Sequence, residues 1–263
     1  MPQDLWLIDA FTDSAFSGNP AGVCLLAGPR PEEWMQSLAR EMNQAETAFL
    51  LKAGDGYDLR WFTPRVEVDL CGHATLASAH YLWESRQLKA KETASFSTRS
   101  GVLTASKKEK WITLDFPATV ALPCEPPPYL LDAFKSPDAA VLKSRFDYMV
   151  VLSDPAKLRT LKPDFRLLSA VETRGVIVTA PSDRPEVDFM SRFFAPSAGV
   201  NEDSVTGSAH CALAPYWAER LGRKTLVGSQ VSPRGGTVRV EDAGERVLLG
   251  GKAVTVIKGK LAE

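Results

Sequence analysis

The chain has 263 residues, 44% hydrophobic and 24% charged, with a net charge of −1, a composition that suits one large or two modest globular domains and argues against disorder. Lysine and arginine are scattered, without the basic stripe of a nucleic-acid binder, and no apolar run approaches the roughly 20 residues needed to span a bilayer. The opening MPQDLWLIDAF carries Asp4 and Asp9 and lacks signal-peptide order, and the cysteines Cys24, Cys71, Cys124 and Cys211 form no CxxC pair, so a reduced, cytoplasmic chain is expected.

In chain order, the short β-rich runs WLIDAF, AGVCLL, TAFLL and YDLRWF come first. They lead to GHATLASAHYLWE from Gly72, an apolar segment with small residues on most sides, which predicts a helix enclosed all round. ITLDF follows, then the proline-rich VALPCEPPPY from Val120 to Tyr129, which reads as a linker. YMVVL and GVIVTA supply further strands, GSAHCALAPYWAE from Gly207 a second helix, and TVRVE another strand. After the Gly250-Gly251 turn, AVTVIKGKL is placed as a strand returning to the first lobe. Pro215 lies inside the second helix pattern, where proline removes a hydrogen bond or bends the helix.

The chain also repeats itself. Arg60-Trp61-Phe62-Thr63-Pro64 matches Arg192-Phe193-Phe194-Ala195-Pro196, and both precede a glycine-led helix. Setting Gly72 on Gly207 aligns Ala74 with Ala209, Ala77 with Ala212, Tyr81 with Tyr216 and Glu84 with Glu219. Upstream, Glu46-Thr47 before AFLL is matched to Glu172-Thr173 before GVIV. Three matches in one order predict two copies of one supersecondary plan. The expected fold is α+β, with two pseudo-symmetric lobes, each a curled barrel-like sheet around a central helix. Residues 1–118 with 252–263 make the first lobe, and 119–251 the second.

The chemistry is expected at the two helix starts. A helix N-terminus offers unpaired N–H groups and partial positive charge, and pseudo-symmetry would bring both to one cleft that holds a carboxylate. The plain alternative is that Asp69, Asp203 or Thr206 caps its helix. Glu46, among small and apolar neighbours, is the candidate acid–base group, since a carboxylate in a partly dry site gains proton affinity. His73, just inside a helix start, is expected to stay neutral, as hydrogen-bond partner or second proton carrier. His80 and His210 read as structural. His73 and His80 are seven residues apart, outside the usual metal-ligand spacing, and no GxGxxG, P-loop or GxSxG elbow occurs, so neither metal nor cofactor is expected. Cys71 raises a two-thiol mechanism, but no cysteine stands at its repeat counterpart near Ser204–Thr206, and Cys71 reads as a small lining residue.

IDAFTDSAFSGNPAGV, NQAETAFL, EVDLCGHATLASAH and NEDSVTGSAH together resemble the PhzF-like family of phenazine-biosynthesis-type proteins, in the family's order. The resemblance implies the diaminopimelate-epimerase fold and no cofactor. It also implies Glu46 as the catalytic glutamate, His73 as the motif histidine, and Asp203 as an aid to binding and proton relay. Gly72, Gly207 and Ser208 would hold the substrate carboxylate, and Asn19 would line the cleft. Ala45 stands where family members often carry serine, so the phenazine enzyme's substrate is not carried over. The expected activity is isomerisation or epimerisation of a small carboxylate-bearing metabolite by movement of a carbon-bound proton. A non-catalytic binding protein that keeps the cleft is the alternative. The expected partners are that substrate and a second copy in a homodimer, with no nucleic acid and no membrane.

Overall fold

The computed structural model describes residues 3–262. The chain forms two compact units, one running to Phe116 and resuming at Gly250, the other Pro117–Leu249. The first opens with β1 (Asp4–Ala10), β2 (Asn19–Leu26), α1 (Glu32–Met42), β3 (Glu46–Ala53) and β4 (Gly56–Phe62). It continues through β5 (Glu67–Val68), α2 (Gly72–Glu84), β6 (Ala94–Thr98), β7 (Gly101–Lys108) and β8 (Trp111–Pro117). The second holds β9 (Leu122–Pro123), α3 (Leu130–Phe134), β10 (Ala140–Lys143), β11 (Asp147–Val151), α4 (Pro155–Thr160) and α5 (Phe165–Ser169). It goes on with β12 (Gly175–Pro181), β13 (Phe189–Ala195), β14 (Val200–Asp203), α6 (Gly207–Leu221), β15 (Thr225–Gln230), β16 (Gly236–Asp242) and β17 (Arg246–Gly251). Last comes β18 (Ala253–Lys260), which pairs antiparallel with β1 along its whole length.

The repeat is real at the level of hydrogen bonding. In the first unit β1–β2 is antiparallel, β2–β3 parallel, β3–β4 antiparallel and β4–β6 parallel. The second repeats these senses in β10–β11, β11–β12, β12–β13 and β13–β15. Equivalent ion pairs brace the two copies: Arg60 to Glu67 at 2.6 Å, and Arg192 to Glu202 at 2.7 Å. The register corrects one match, however. Thr47 faces Phe62 as Val176 faces Phe194, which sets Glu46 against Gly175. Glu172 is exposed in the preceding loop, three residues short of that position.

Each curled sheet wraps its own helix. Eleven of the thirteen residues of α2 are buried, only His80 and Glu84 being less enclosed, and α6 is buried from Ala209 to Ala214. Alanine, glycine and serine let strands approach from every side, which is why neither helix shows a polar stripe. Hydroxyls on α2 fold back onto the helix itself, Thr75 donating to the Cys71 carbonyl and Ser78 to that of Ala74. Pro215 is inside α6, where it cannot donate to the carbonyl of Cys211. That carbonyl instead accepts from the backbone N–H of Thr119 at 3.0 Å. The segment just after β8 therefore satisfies the acceptor that the proline leaves open.

Candidate active site

Glu46 and Asn19 are the first residues of β3 and β2, and these strands run parallel with Ala21 opposite Glu46. Both side chains therefore leave the same end of the sheet, where α2 begins. The approach to Asn19 is fixed by Gly18, which has φ +67°; a Cβ there would lie 2.2 Å from the Ala10 carbonyl oxygen. Only glycine fits that turn. Just before it, the backbone N–H of Phe16 donates to the buried carboxylate of Asp9 at 2.7 Å.

Four side chains meet at this end. His73 Nε2 is 3.1 Å from Glu46 Oε2, and Asn19 Nδ2 is 3.2 Å from His73 Nδ1. Cys71 Sγ lies 3.5 Å from Nδ1 and 4.0 Å from Nε2 of the same ring. With the Asn19 amide donating, Nδ1 accepts and Nε2–H faces the carboxylate. The Glu46–His73 approach is close enough for an ion pair, yet its direction leaves Oε2 without a well-aligned hydrogen bond. That oxygen keeps accepting capacity.

The helix-dipole expectation for His73 needs correction. Burial does push against imidazolium, but Cys71 and Glu46 beside the ring outweigh it, and the ring is held well above its ordinary value. Cys71 is itself buried, which pushes its thiol up to about 11.

Neither α2 nor α6 carries a side-chain cap: their N-cap residues, Cys71 and Thr206, make no capping hydrogen bond. The plain capping alternative therefore fails for Thr206. Asp69 is exposed and approaches Arg99, and the Thr206 hydroxyl donates to Asp203. The opening of α6 is instead braced from β15. Gln230 Oε1 accepts from the Thr206 N–H at 2.8 Å, while its Nε2 donates to the Asp203 carbonyl at 2.8 Å. His210 Nδ1 donates to the Thr206 carbonyl at 2.9 Å, and complete burial drives its pKa down to about 4. It is a neutral structural histidine. His80 is also structural, bonded to Glu84 and Thr255 at the far end of α2.

The second unit adds a residue that sequence reasoning missed. Arg174, just before Gly175, is clamped by the buried carboxylate of Asp147 and donates to Ser208 Oγ at 3.1 Å. Its cue is that it directly precedes the strand that repeats β3, two residues downstream of the Glu172 match. So Gly207 and Ser208 open α6 with Asp203 and Arg174 alongside, and Gly72 opens α2 beside Glu46 and His73. Three donor-bearing side chains also cluster here. Glu46, Cys71 and His73 place their donor atoms within 4.8 Å of one another. The histidine spacing alone could not reveal this, because the carboxylate comes from a distant strand.

A curled sheet around a buried helix, twice over, is the architecture of the diaminopimelate-epimerase-like isomerases and epimerases. The sequence profile of the phenazine biosynthesis-like (PhzC-PhzF) proteins matches residues 8–259. The chain is 49% identical to an uncharacterized isomerase of Halalkalibacterium halodurans and 47% identical to one of Pseudomonas aeruginosa, each match covering 99% of both chains. A crystal structure of a PhzF-family protein from Enterococcus faecalis superposes with a TM-score of 0.95 at 43% identity, covering all of both chains. The chain belongs to the phenazine biosynthesis-like, or PhzF, family, and it is an isomerase. No helix among the described residues is long and apolar enough to cross a membrane.

Proposed function

We propose that the chain catalyses cofactor-independent isomerisation or epimerisation of a small carboxylate-bearing metabolite, with Glu46 moving a proton to and from carbon. The observation that carries this reading is the Glu46–His73 pair, 3.1 Å apart, beside the uncapped start of α2. Glu46 Oε2 takes the proton from the carbon next to the substrate's electron-withdrawing group, and the carboxyl so formed returns it to a different carbon or face. His73, oriented by Asn19, holds that carboxylate in place and stabilises its charge. The N–H groups at Gly72 face the negative charge that develops on the substrate's carboxylate or enolate side. At the start of α6, Gly207 and Ser208 offer a second anion-holding turn, with Asp203 as a proton relay.

The thiol mechanism has little support. Cys71 and Cys211 are buried, with thiols pushed up to about 11 and about 12, so neither is a ready base. The test is deuterium incorporation, followed by NMR, into a panel of small unsaturated and amino carboxylic acids in heavy water. Exchange at one carbon that disappears in Glu46→Gln supports the reading. Exchange that persists in Glu46→Gln and is lost in Cys71→Ala overturns it.

A further inference from the structure

We propose that Arg174 is a positioning residue for substrate binding: held rigid by Asp147, it makes the Ser208 hydroxyl a one-way donor, so that the start of α6 selects a carboxylate. This rests on the reading above that Gly207 and Ser208 hold the substrate's carboxylate, and adds the residues that decide how they do so. Arg174 is fixed from several sides. β11 and β12 run parallel with Asp147 opposite Gly175, which brings the Asp147 carboxylate beside the residue that precedes β12. Arg174 Nε donates to Asp147 Oδ1 at 2.8 Å, and Nη2 donates to Oδ2. That aspartate is buried, and its backbone N–H is tied to Ser144 Oγ at 3.1 Å. The guanidinium also lies over two rings, 5.3 Å from the centre of Phe146 and 5.7 Å from that of Phe193. Gly175 admits the second ring, since a Cβ there would fall 2.2 Å from Phe193 Cζ. A two-pronged carboxylate and two aromatic faces leave the arginine few other orientations.

What this rigid group does follows from donor and acceptor chemistry. Arg174 Nη1 donates to Ser208 Oγ at 3.1 Å. A guanidinium has donors only, so the serine must accept, and its single proton is left to point elsewhere. On α2 the hydroxyls of Thr75 and Ser78 give their protons to the carbonyls of Cys71 and Ala74. Ser208 gives its proton to no group among the described residues. It is half-buried, the second residue of α6, beside the open N–H groups of the first turn. Hydroxyl and backbone then present donors alone. A carboxylate oxygen satisfies them with charge-assisted bonds, roughly twice as strong as those to a neutral amide. An ammonium group, which offers only protons, is rejected. Arg174 keeps two further N–H groups on a side chain that is 42% exposed, so direct contact with the ligand is the competing role.

NMR titration of the intact chain with acetate, and in parallel with acetamide, tests the two roles through the backbone amides of Gly207 and Ser208. Acetate should shift both amides, and acetamide should bind about 10-fold more weakly. Ser208→Ala and Arg174→Gln should each weaken acetate by about 10-fold or more, the factor that a hydrogen bond to a charged group supplies. The deciding comparison is the double variant. Arg174→Gln added to Ser208→Ala should cost nothing further, because Arg174 acts through that hydroxyl. Arg174→Lys keeps a cation for Asp147 but loses the planar fork, so it should bind acetate as weakly as Arg174→Gln does. It also keeps the test alive where glutamine strands the buried Asp147 carboxylate and the chain fails to fold. A further loss in the double variant, or full affinity in Arg174→Lys, overturns positioning in favour of direct contact or charge alone. Equal binding of acetate and acetamide overturns the selection of a carboxylate. Acetate held equally by wild type and Arg174→Gln rejects the role of Arg174 and leaves α6 as an anion-holding turn. No shift of either amide in the wild type rejects that turn and the role of Arg174 together, while deuterium exchange that still requires Glu46 keeps the proton-transfer reading.

Discussion

At the scale of single residues, the chain separates groups that handle protons from groups that hold shape. Glu46→Gln keeps size and polarity but cannot accept a proton from carbon, so exchange should fall by about 10²–10⁴-fold. His73→Gln should cost less, because the ring orients rather than accepts, and Cys71→Ala should retain most exchange, which single-turnover NMR can rank. His210 is the clearest structural case. Its pKa is depressed from 6.5 to about 4 by burial, so the folded form resists a proton that the unfolded chain accepts. The stability that follows is fully present above pH 6.5, declines as pH falls, and is gone below about 4. The shift corresponds to about 3 kcal/mol. His210→Asn keeps a donor for the Thr206 carbonyl but cannot titrate, so urea denaturation at pH 7 and pH 5 should show a smaller stability difference for the variant than for the wild type.

At the scale of elements, sequence legibility followed periodicity. The two glycine-led helices could be placed because small apolar residues on all faces leave one sensible environment, and both begin at the expected glycine. Glu46, His73 and Asn19 could be nominated from motifs, and the parallel pairing of β2 with β3 brings their side chains together. What stayed hidden was register. A three-residue error at Glu172 cannot be seen where both alignments put an acidic or small residue before an apolar run, and only the ladder distinguishes them. Pro215 was equally opaque, because its remedy lies far away in sequence. Thr119 belongs to no strand, yet its N–H holds the Cys211 carbonyl. That amide should therefore exchange slowly with solvent, as should that of Ala118, whose N–H donates to the Glu245 carbonyl. Thr119→Pro removes the donor and should destabilise the chain by about 1–3 kcal/mol, the usual cost of a stranded buried acceptor.

At the scale of the whole molecule, the two units differ in how the chain closes them. The second is one continuous stretch, Pro117–Leu249, but the first needs both chain ends. β18 pairs with β1 from Asp4 opposite Lys260 to Ala10 opposite Ala253, and β1 in turn carries Trp6, which packs edge-on against Tyr81 of α2 at 4.8 Å. Tyr81 also donates to Asp4 on β1. Without β18, β1 would present a bare hydrogen-bonding edge and α2 would lose part of its wrapping. α2 carries Gly72 and His73 at its start, so the defect should reach the proposed site although β18 contributes no residue to it. Removing residues 252–263 should therefore abolish deuterium exchange and strip hydrogen-exchange protection from β1 and α2, while amides in β12, β13 and β15 of the other unit keep much of theirs. Mass-resolved hydrogen exchange on the truncated chain checks this directly. Equal loss of protection in both units would mean that they fold as one cooperative block, and that the terminal strand stabilises the whole chain rather than the unit it completes.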